Sequence, residues 1–128
     1  MRVLLDTHSL LWWTTSSPWL SEAAFLIVSD ERSEVFVSAA TAWEIATKFR
    51  LGKLPEAGPL VQDFIASVFR DNFLLLAVEV KHGLRAGLLK GEHKDPFDRM
   101  LIAQALEEDL TLVSNETAFD KFGVKRLW

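Results

Sequence analysis

The chain has 128 residues, with 14 Lys and Arg against 18 Asp and Glu, 49% hydrophobic residues and no cysteine. That length predicts a single domain, residues 1–128, which at this size buries roughly two thirds of the surface the unfolded chain exposes. The lack of cysteine excludes disulfides, thiolate metal ligands and a cysteine nucleophile. No apolar run is longer than Phe73 to Val78, which falls far short of the ~20 residues of a membrane helix. An acid already at position 6 interrupts any apolar signal segment,. The expectation is a cytoplasmic protein with no membrane partner.

Short apolar runs alternate with helical patterns. Val3-Leu4-Leu5, Val35-Phe36-Val37, Phe73 to Val78 and Leu112-Val113 are continuous, as expected of strands covered on both faces. Val124 to Trp128 is more polar and reads as an edge strand. Ser17-Pro18 predicts a helix start, with an amphipathic pattern from Leu20 to Val28. Thr7 to Ser9 reads as a turn capped by Asp6. Ser38 caps a predicted helix that runs to about Leu51, where Gly52 ends it. Pro59 to Arg70 reads as one helix, joined to the previous one by residues 52–58. Further helices are predicted from Glu79 to Leu88 and from Pro96, capped by Asp95, to about Asp109. This order predicts an α/β layer fold with a mainly parallel sheet.

In such a sheet, ligands gather at the carboxyl ends of the strands. The polar residues ending the runs are largely acidic: Asp6 after the first, Ser38 with Glu44 behind it after the second, and Ser114, Glu116 and Asp120 after the fourth. Asp95 and Asp98 open the helix before that strand. Carboxylates converging on one edge repel each other unless a cation is present. Oxygen-only ligands suit Mg²⁺ or Mn²⁺, and the matching chemistry is phosphodiester hydrolysis. No phosphate-cradling glycine loop or dinucleotide fingerprint is present.

Each acid also has a structural reading. Glu44 precedes Lys48 by four residues, a helical ion-pair spacing, and a helical wheel sets it opposite Ala42, Ala46 and Phe49. Asp98 shares a face with Leu101, Ile102 and Ala105, at the head of the stripe turned to the core. Asp95 serves first as a cap.

These residues carry a family resemblance over the whole chain. Leu4-Leu5-Asp6-Thr7-His8, the stretch from Ser38 through Trp43-Glu44 to Ala46, that from His93 through Asp95-Pro96-Phe97-Asp98-Arg99 to Ala105, and Leu112 to Phe119 with Phe122-Gly123-Val124 resemble the PIN-domain ribonucleases. Within that family they resemble the VapC toxins of type II toxin–antitoxin pairs. The resemblance implies a three-layer fold with a five-stranded parallel sheet, and a Mg²⁺- or Mn²⁺-dependent endoribonuclease leaving 5′-phosphate and 3′-hydroxyl ends. It implies Asp6, Glu44 and Asp98 as metal-site acids, and Glu116 in a slot usually held by Asp. The longer side chain shifts that carboxylate by ~1.5 Å, so either a water-mediated role for Glu116 or replacement by Asp120 is open. Thr7, Ser38 and Ser114 are expected to orient the carboxylates.

The resemblance also implies an RNA substrate, a VapB-type antitoxin and a homodimer. Residues 81–94 hold Lys81, Arg85, Lys90 and Lys94 against Glu92 alone, with Arg99 beyond; this patch is read as positioning phosphates. His82 and His93 are candidates to help bind RNA. Trp12, Trp13 and Trp19 crowd the first connection and suit an interface. The alternative function is a noncatalytic interaction module whose metal site Glu116 has degraded.

Overall fold

The computed structural model describes all residues, 1–128. Five strands form one sheet: β1 (Arg2–Leu5), β2 (Glu34–Ser38), β3 (Leu74–Leu76), β4 (Thr111–Val113) and β5 (Arg126–Leu127). Their spatial order is β3-β2-β1-β4-β5 and every pairing is parallel. The predicted α/β sheet is therefore observed. The chain builds outward from β1 to β2 and β3, then returns to lay β4 on the other side of β1. The gap between the carboxyl ends of β1 and β4 is thus the switch point where an open α/β sheet receives ligands.

Alternation along β1 builds two cores, because successive side chains point to opposite faces. Val3 and Leu5 join Val35, Val37 and Val113 on one face, beneath Leu10 and Leu11 of α1 (Thr7–Thr14), Ala24 and Val28 of α2 (Glu22–Ser29) and Ile45 of α3 (Ala39–Arg50). Leu60 of α4 (Gly58–Gln62) and Val68 of α5 (Phe64–Arg70) complete that side. Leu4 and Leu112 lie on the other face, against Leu101, Ile102 and Ala105 of α7 (Pro96–Glu108). No helix is long and apolar enough to cross a membrane.

Local chemistry explains most helix ends. Ser38 caps α3 by accepting the Ala40 N–H, and Gly52, at φ 75°, takes the left-handed turn beyond the last residues,. Asp95 caps α7 through the N–H groups of Phe97 and Asp98, with Pro96 in the first turn,.

Four expectations need correction. Thr7–Thr14 is a helix rather than a turn: Asp6 caps it through the Ser9 N–H, and Ser9 is buried with its hydroxyl donating to the Val113 carbonyl. A buried serine on the inner face hides the apolar stripe from a sequence reading. The next helix starts at Glu22, capped by Ser21, not at Pro18. The predicted helix 59–70 breaks at Asp63, whose φ of −139° leaves the helical region between α4 and α5. Finally, the inward stripe of α3 is Ala40, Thr41, Glu44 and Ile45. Glu44 points in, and Ala46 and Phe49 point out.

The remaining helix, α6 (Val80–Leu88), is pinned to α7 by a buried histidine. His82 Nδ1 accepts the Glu79 N–H at 2.9 Å, which leaves Nε2 to donate to Glu108 at 2.8 Å. Lys81 also reaches Glu108, at 3.1 Å. Removing the ring opens a void and leaves the Glu79 N–H without its partner, so His82→Ala is expected to lower unfolding free energy by about 3 kcal/mol. Urea denaturation measures it, and an unchanged midpoint would show that the pin is dispensable.

Candidate active site at the strand ends

Asp6 is the first polar residue after three fully buried ones, and it is itself only 5% exposed. Burial pushes its pKa up, against the opposing pull of nearby Ser114 and of Ser9, whose backbone N–H donates to Asp6 Oδ1 at 2.8 Å,. Ser114 ends β4, so Asp6 and Ser114 together close the switch point.

Thr7, beside Asp6, donates its hydroxyl to Glu44 Oε1. Glu44 is 3% exposed, and its Oε2 accepts from Lys48 Nζ. Glu44 in turn acts on Asp98: burial first, then the charges of Asp95 and Glu44, raise the Asp98 pKa to about 6, while the His93 hydrogen bond opposes the shift. His93 Nε2 lies 2.8 Å from Asp98 Oδ2. Its ring is wedged edge-on against Phe119 and Phe122. Asp6, Glu44 and Asp98 come from three distant stretches: Thr7, next to Asp6 in the chain, holds Glu44, and the Glu44 charge acts on Asp98. They are not drawn into a closed triplet. The group whose ligand atoms all lie within 4.8 Å of one another is Glu79, His82 and Glu108, on the α6–α7 side. Its histidine has both nitrogens engaged in the pin described above.

The other expected residues divide. Glu116 is exposed, and its backbone N–H donates to Ser114 Oγ at 3.0 Å, which sets it at the end of β4. Asp120 does not replace it: both Asp120 oxygens are taken by Arg126, at 2.8 and 3.1 Å, and this pairing lowers its pKa. Asp95 is held as the cap of α7, yet its charge reaches Asp98. Ser38 orients no carboxylate. Its hydroxyl donates to Gln104, a fully buried side chain whose amide N–H₂ donates to the Ala77 carbonyl at 3.2 Å.

Three of the four expected phosphate-positioning residues are occupied elsewhere. Arg99 donates to the carbonyls of Ala86, His93 and Leu89, at 3.0, 3.2 and 2.7 Å, and clamps α6 and the following loop to α7. Lys81 and Arg85 pair with Glu108 and Glu107. Lys94 is exposed and makes no ion pair. His82 is buried in its pin, and His93 faces Asp98 rather than solvent. Trp13 is an internal anchor, donating to Asp71 and packing on Phe25 and Phe73, whereas Trp19 is 74% exposed.

The sequence reading missed Lys48 as a member of the site, along with Gln104. Lys48 was visible only as a helical ion-pair partner. Gln104 carried a weaker signal: a glutamine between Ile102 and Ala105, on the stripe facing the core.

The family model for the PIN domain matches residues 3–125. The chain belongs to the PIN domain family. A curated relative, Ribonuclease VapC16 of Mycobacterium tuberculosis, is 58% identical over 33 residues, which are 26% of this chain and 23% of that protein. The match thus spans about a quarter of the relative's length. Among solved structures, VapBC2 from Rickettsia felis, bound to a DNA fragment from its promoter, superposes with a TM-score of 0.67 at 15% identity, covering 99% of this chain and 98% of that one. VapC20 of Mycobacterium tuberculosis, described as a Sarcin-Ricin loop cleaving toxin, superposes at 0.66 with 12% identity and 95% coverage of both chains. These likenesses establish the fold, a five-stranded parallel sheet between helices.

A carboxyl whose pKa is higher in the folded state than its ordinary 3.8 favours the fold when protonated. Its ionisation therefore erodes stability as pH rises from about 4 through about 6. Asp98→Asn, melted in EDTA, is expected to gain roughly 3–6 °C over wild type at pH 7, the gain vanishing towards pH 4. A gain independent of pH would disprove the charge origin.

Proposed function

We propose that the chain is an endoribonuclease of the toxin type that hydrolyses RNA phosphodiesters at the carboxyl ends of β1 and β4. The observation carrying this reading is the burial of Asp6 at the end of β1 beside Thr7, whose hydroxyl holds Glu44, and the action of the Glu44 charge on Asp98. The named activity of the VapC16 relative and the cleavage ascribed to VapC20 support RNA as substrate.

The donor set suits a divalent ion. It offers only oxygens, two of the three acids are raised in pKa by burial, and a hard cation relieves both burdens,. Asp6, Glu44 and Asp98, with Glu116 at the rim, are the residues to hold Mg²⁺ or Mn²⁺. Such an ion supplies Lewis acidity, lowering the pKa of an attacking water and offsetting charge on the leaving oxygen. The chain's own part is orientation. Ser9 and Ser114 hold Asp6, His93 holds one oxygen of Asp98 and leaves the other free, and Thr7 holds Glu44. As water adds to phosphorus, the bond to the 3′ oxygen breaks. The products are a 5′-phosphate and a 3′-hydroxyl, which takes up a proton. Lys94 and Lys90, both exposed and without ion pairs, are the cations left to meet flanking phosphates,.

A VapB-type antitoxin and a second copy of the chain are the proposed partners. A cavity of about 330 Å³, lined by Ala39, Ala40, Val78 and Met100 with Trp43 and Phe97, the chain neighbours of Glu44 and Asp98, suits apolar side chains of an antitoxin. On α6, Val80, Leu84 and Leu88 are 81%, 63% and 78% exposed and form one stripe, which supports self-association,. Leu84→Glu is expected to shift a dimer to monomer in size-exclusion chromatography with light scattering. A wild-type monomer would refute the dimer.

Cleavage of single-stranded RNA and of transfer RNA by antitoxin-free protein tests the enzyme. Activity is expected with Mg²⁺ or Mn²⁺ and not in EDTA, and Asp6→Asn or Asp98→Asn should lower it by about 100-fold or more. Cutting in EDTA, or equal cutting by both variants, would refute the reading. A wild-type protein that binds no divalent ion would favour the noncatalytic module.

A further inference from the structure

Glu44 does not stand free among the acids. Thr7 holds one of its oxygens and Lys48 the other. The pair is sheltered: the Glu44 side chain is 3% exposed and that of Lys48 29%. The same ammonium also feels the charges of Asp95 and Asp98. Glu44 alone contacts this ammonium, and the other two acids act on it at longer range. No other lysine or arginine pairs with these acids, since Arg99 is bound to carbonyls and Lys94 is unpaired at the surface.

The spacing of Glu44 and Lys48 alone would suit an exposed helical pair, which contributes little. Burial changes its meaning, because a buried carboxylate deprived of its partner is an uncompensated charge. With both oxygens engaged, Glu44 has only one remaining lone pair on each oxygen to offer an ion,.

We propose that Lys48 is a positioning residue of the nuclease site, its ammonium locking the Glu44 carboxylate and offsetting negative charge at this corner. The proposal rests on the nuclease reading above and refines it. Asp6 and Asp98 lead in holding an ion, and Glu44 joins them in the orientation that Thr7 and Lys48 set.

Removing the ammonium then has effects of opposite sign. Without an ion, the acids repel one another more strongly and the fold weakens. A dication meets a more negative site and binds more tightly. Turnover falls, because Glu44 is no longer held. A lysine with a merely structural role would instead weaken stability and ion binding together.

The test compares Lys48→Met, Lys48→Arg and the charge control Lys53→Met, an exposed lysine without an ion pair. Three readouts are taken on antitoxin-free protein: Mn²⁺ binding by calorimetry, melting temperature in EDTA, and kcat and KM on an RNA oligonucleotide. For Lys48→Met the expected results are Mn²⁺ affinity tightened about tenfold, a lower melting temperature, and kcat down by about tenfold or more with KM changed less than about threefold. Lys48→Arg should return Mn²⁺ affinity to the wild-type value and recover part of kcat. Lys53→Met should match wild type throughout. If Lys48→Met does not fold, Lys48→Gln removes the same charge and is judged by the same readouts. Unchanged or weakened Mn²⁺ affinity on loss of the charge, beside an active wild type, overturns the Lys48 proposal alone. A wild type that neither binds Mn²⁺ nor cleaves RNA overturns the nuclease reading and this proposal together.

Discussion

A carboxylate held out of water at the end of the central strand is the constraint around which the active corner is organised. β1 is covered on both faces, so the chain reaches Asp6 while still inside the protein. A charge there needs donors, and the surrounding backbone supplies them by turning at once into α1 and by aligning β4 so that Ser114 stands alongside. Each neighbouring acid is compensated in its own way: Glu44 by Thr7 and Lys48, Asp98 by His93, Asp95 by the amides of α7. Remove the parallel pairing of β1 with β4 and these compensations lose their common geometry.

Positive charge is distributed by the same logic. α7 ends in Glu107, Glu108 and Asp109, and this acidic end draws cations from several directions: Arg85 to Glu107, Lys81 and His82 to Glu108, Lys125 to Asp109. Arg99 turns inward to carbonyls that the end of α6 and its following loop leave without helical partners,. A stretch that reads as a basic patch thereby becomes largely a set of struts between two helices. Of that stretch only Lys90 and Lys94 remain exposed and without ion pairs.

The aromatic residues follow a similar division. Trp13 locks the first helix against Phe25 and Phe73. Trp43 is 66% exposed and meets Phe97 edge-on at 4.8 Å. Trp43 directly precedes Glu44, and Phe97 directly precedes Asp98. The helices that carry two of the acids therefore also carry an apolar rim beside them.

Periodicity and capping were enough to read the parallel sheet, the caps at Ser38 and Asp95, and the carboxylates at strand ends, because these follow from neighbours within one or two turns. The family motifs pointed to Asp6, Glu44, Asp98 and Glu116 for the same reason: short segments retain their local pattern. Local pattern could not reveal that α1 buries a serine, that the 59–70 segment breaks at Asp63, or that Glu44 faces inward with Lys48. Those outcomes depend on what packs across from each residue. The partners of Ser38, Asp120, Arg85 and Arg99 were equally out of reach, since Gln104, Arg126, Glu107 and the Ala86 and Leu89 carbonyls come into range only when separate elements are stacked. One chain therefore carries its secondary structure and its stock of acids in its order of residues, while long-range packing alone decides which of those charges are paired, because Coulomb and hydrogen-bond energies depend on distance and solvent access rather than on position in the sequence.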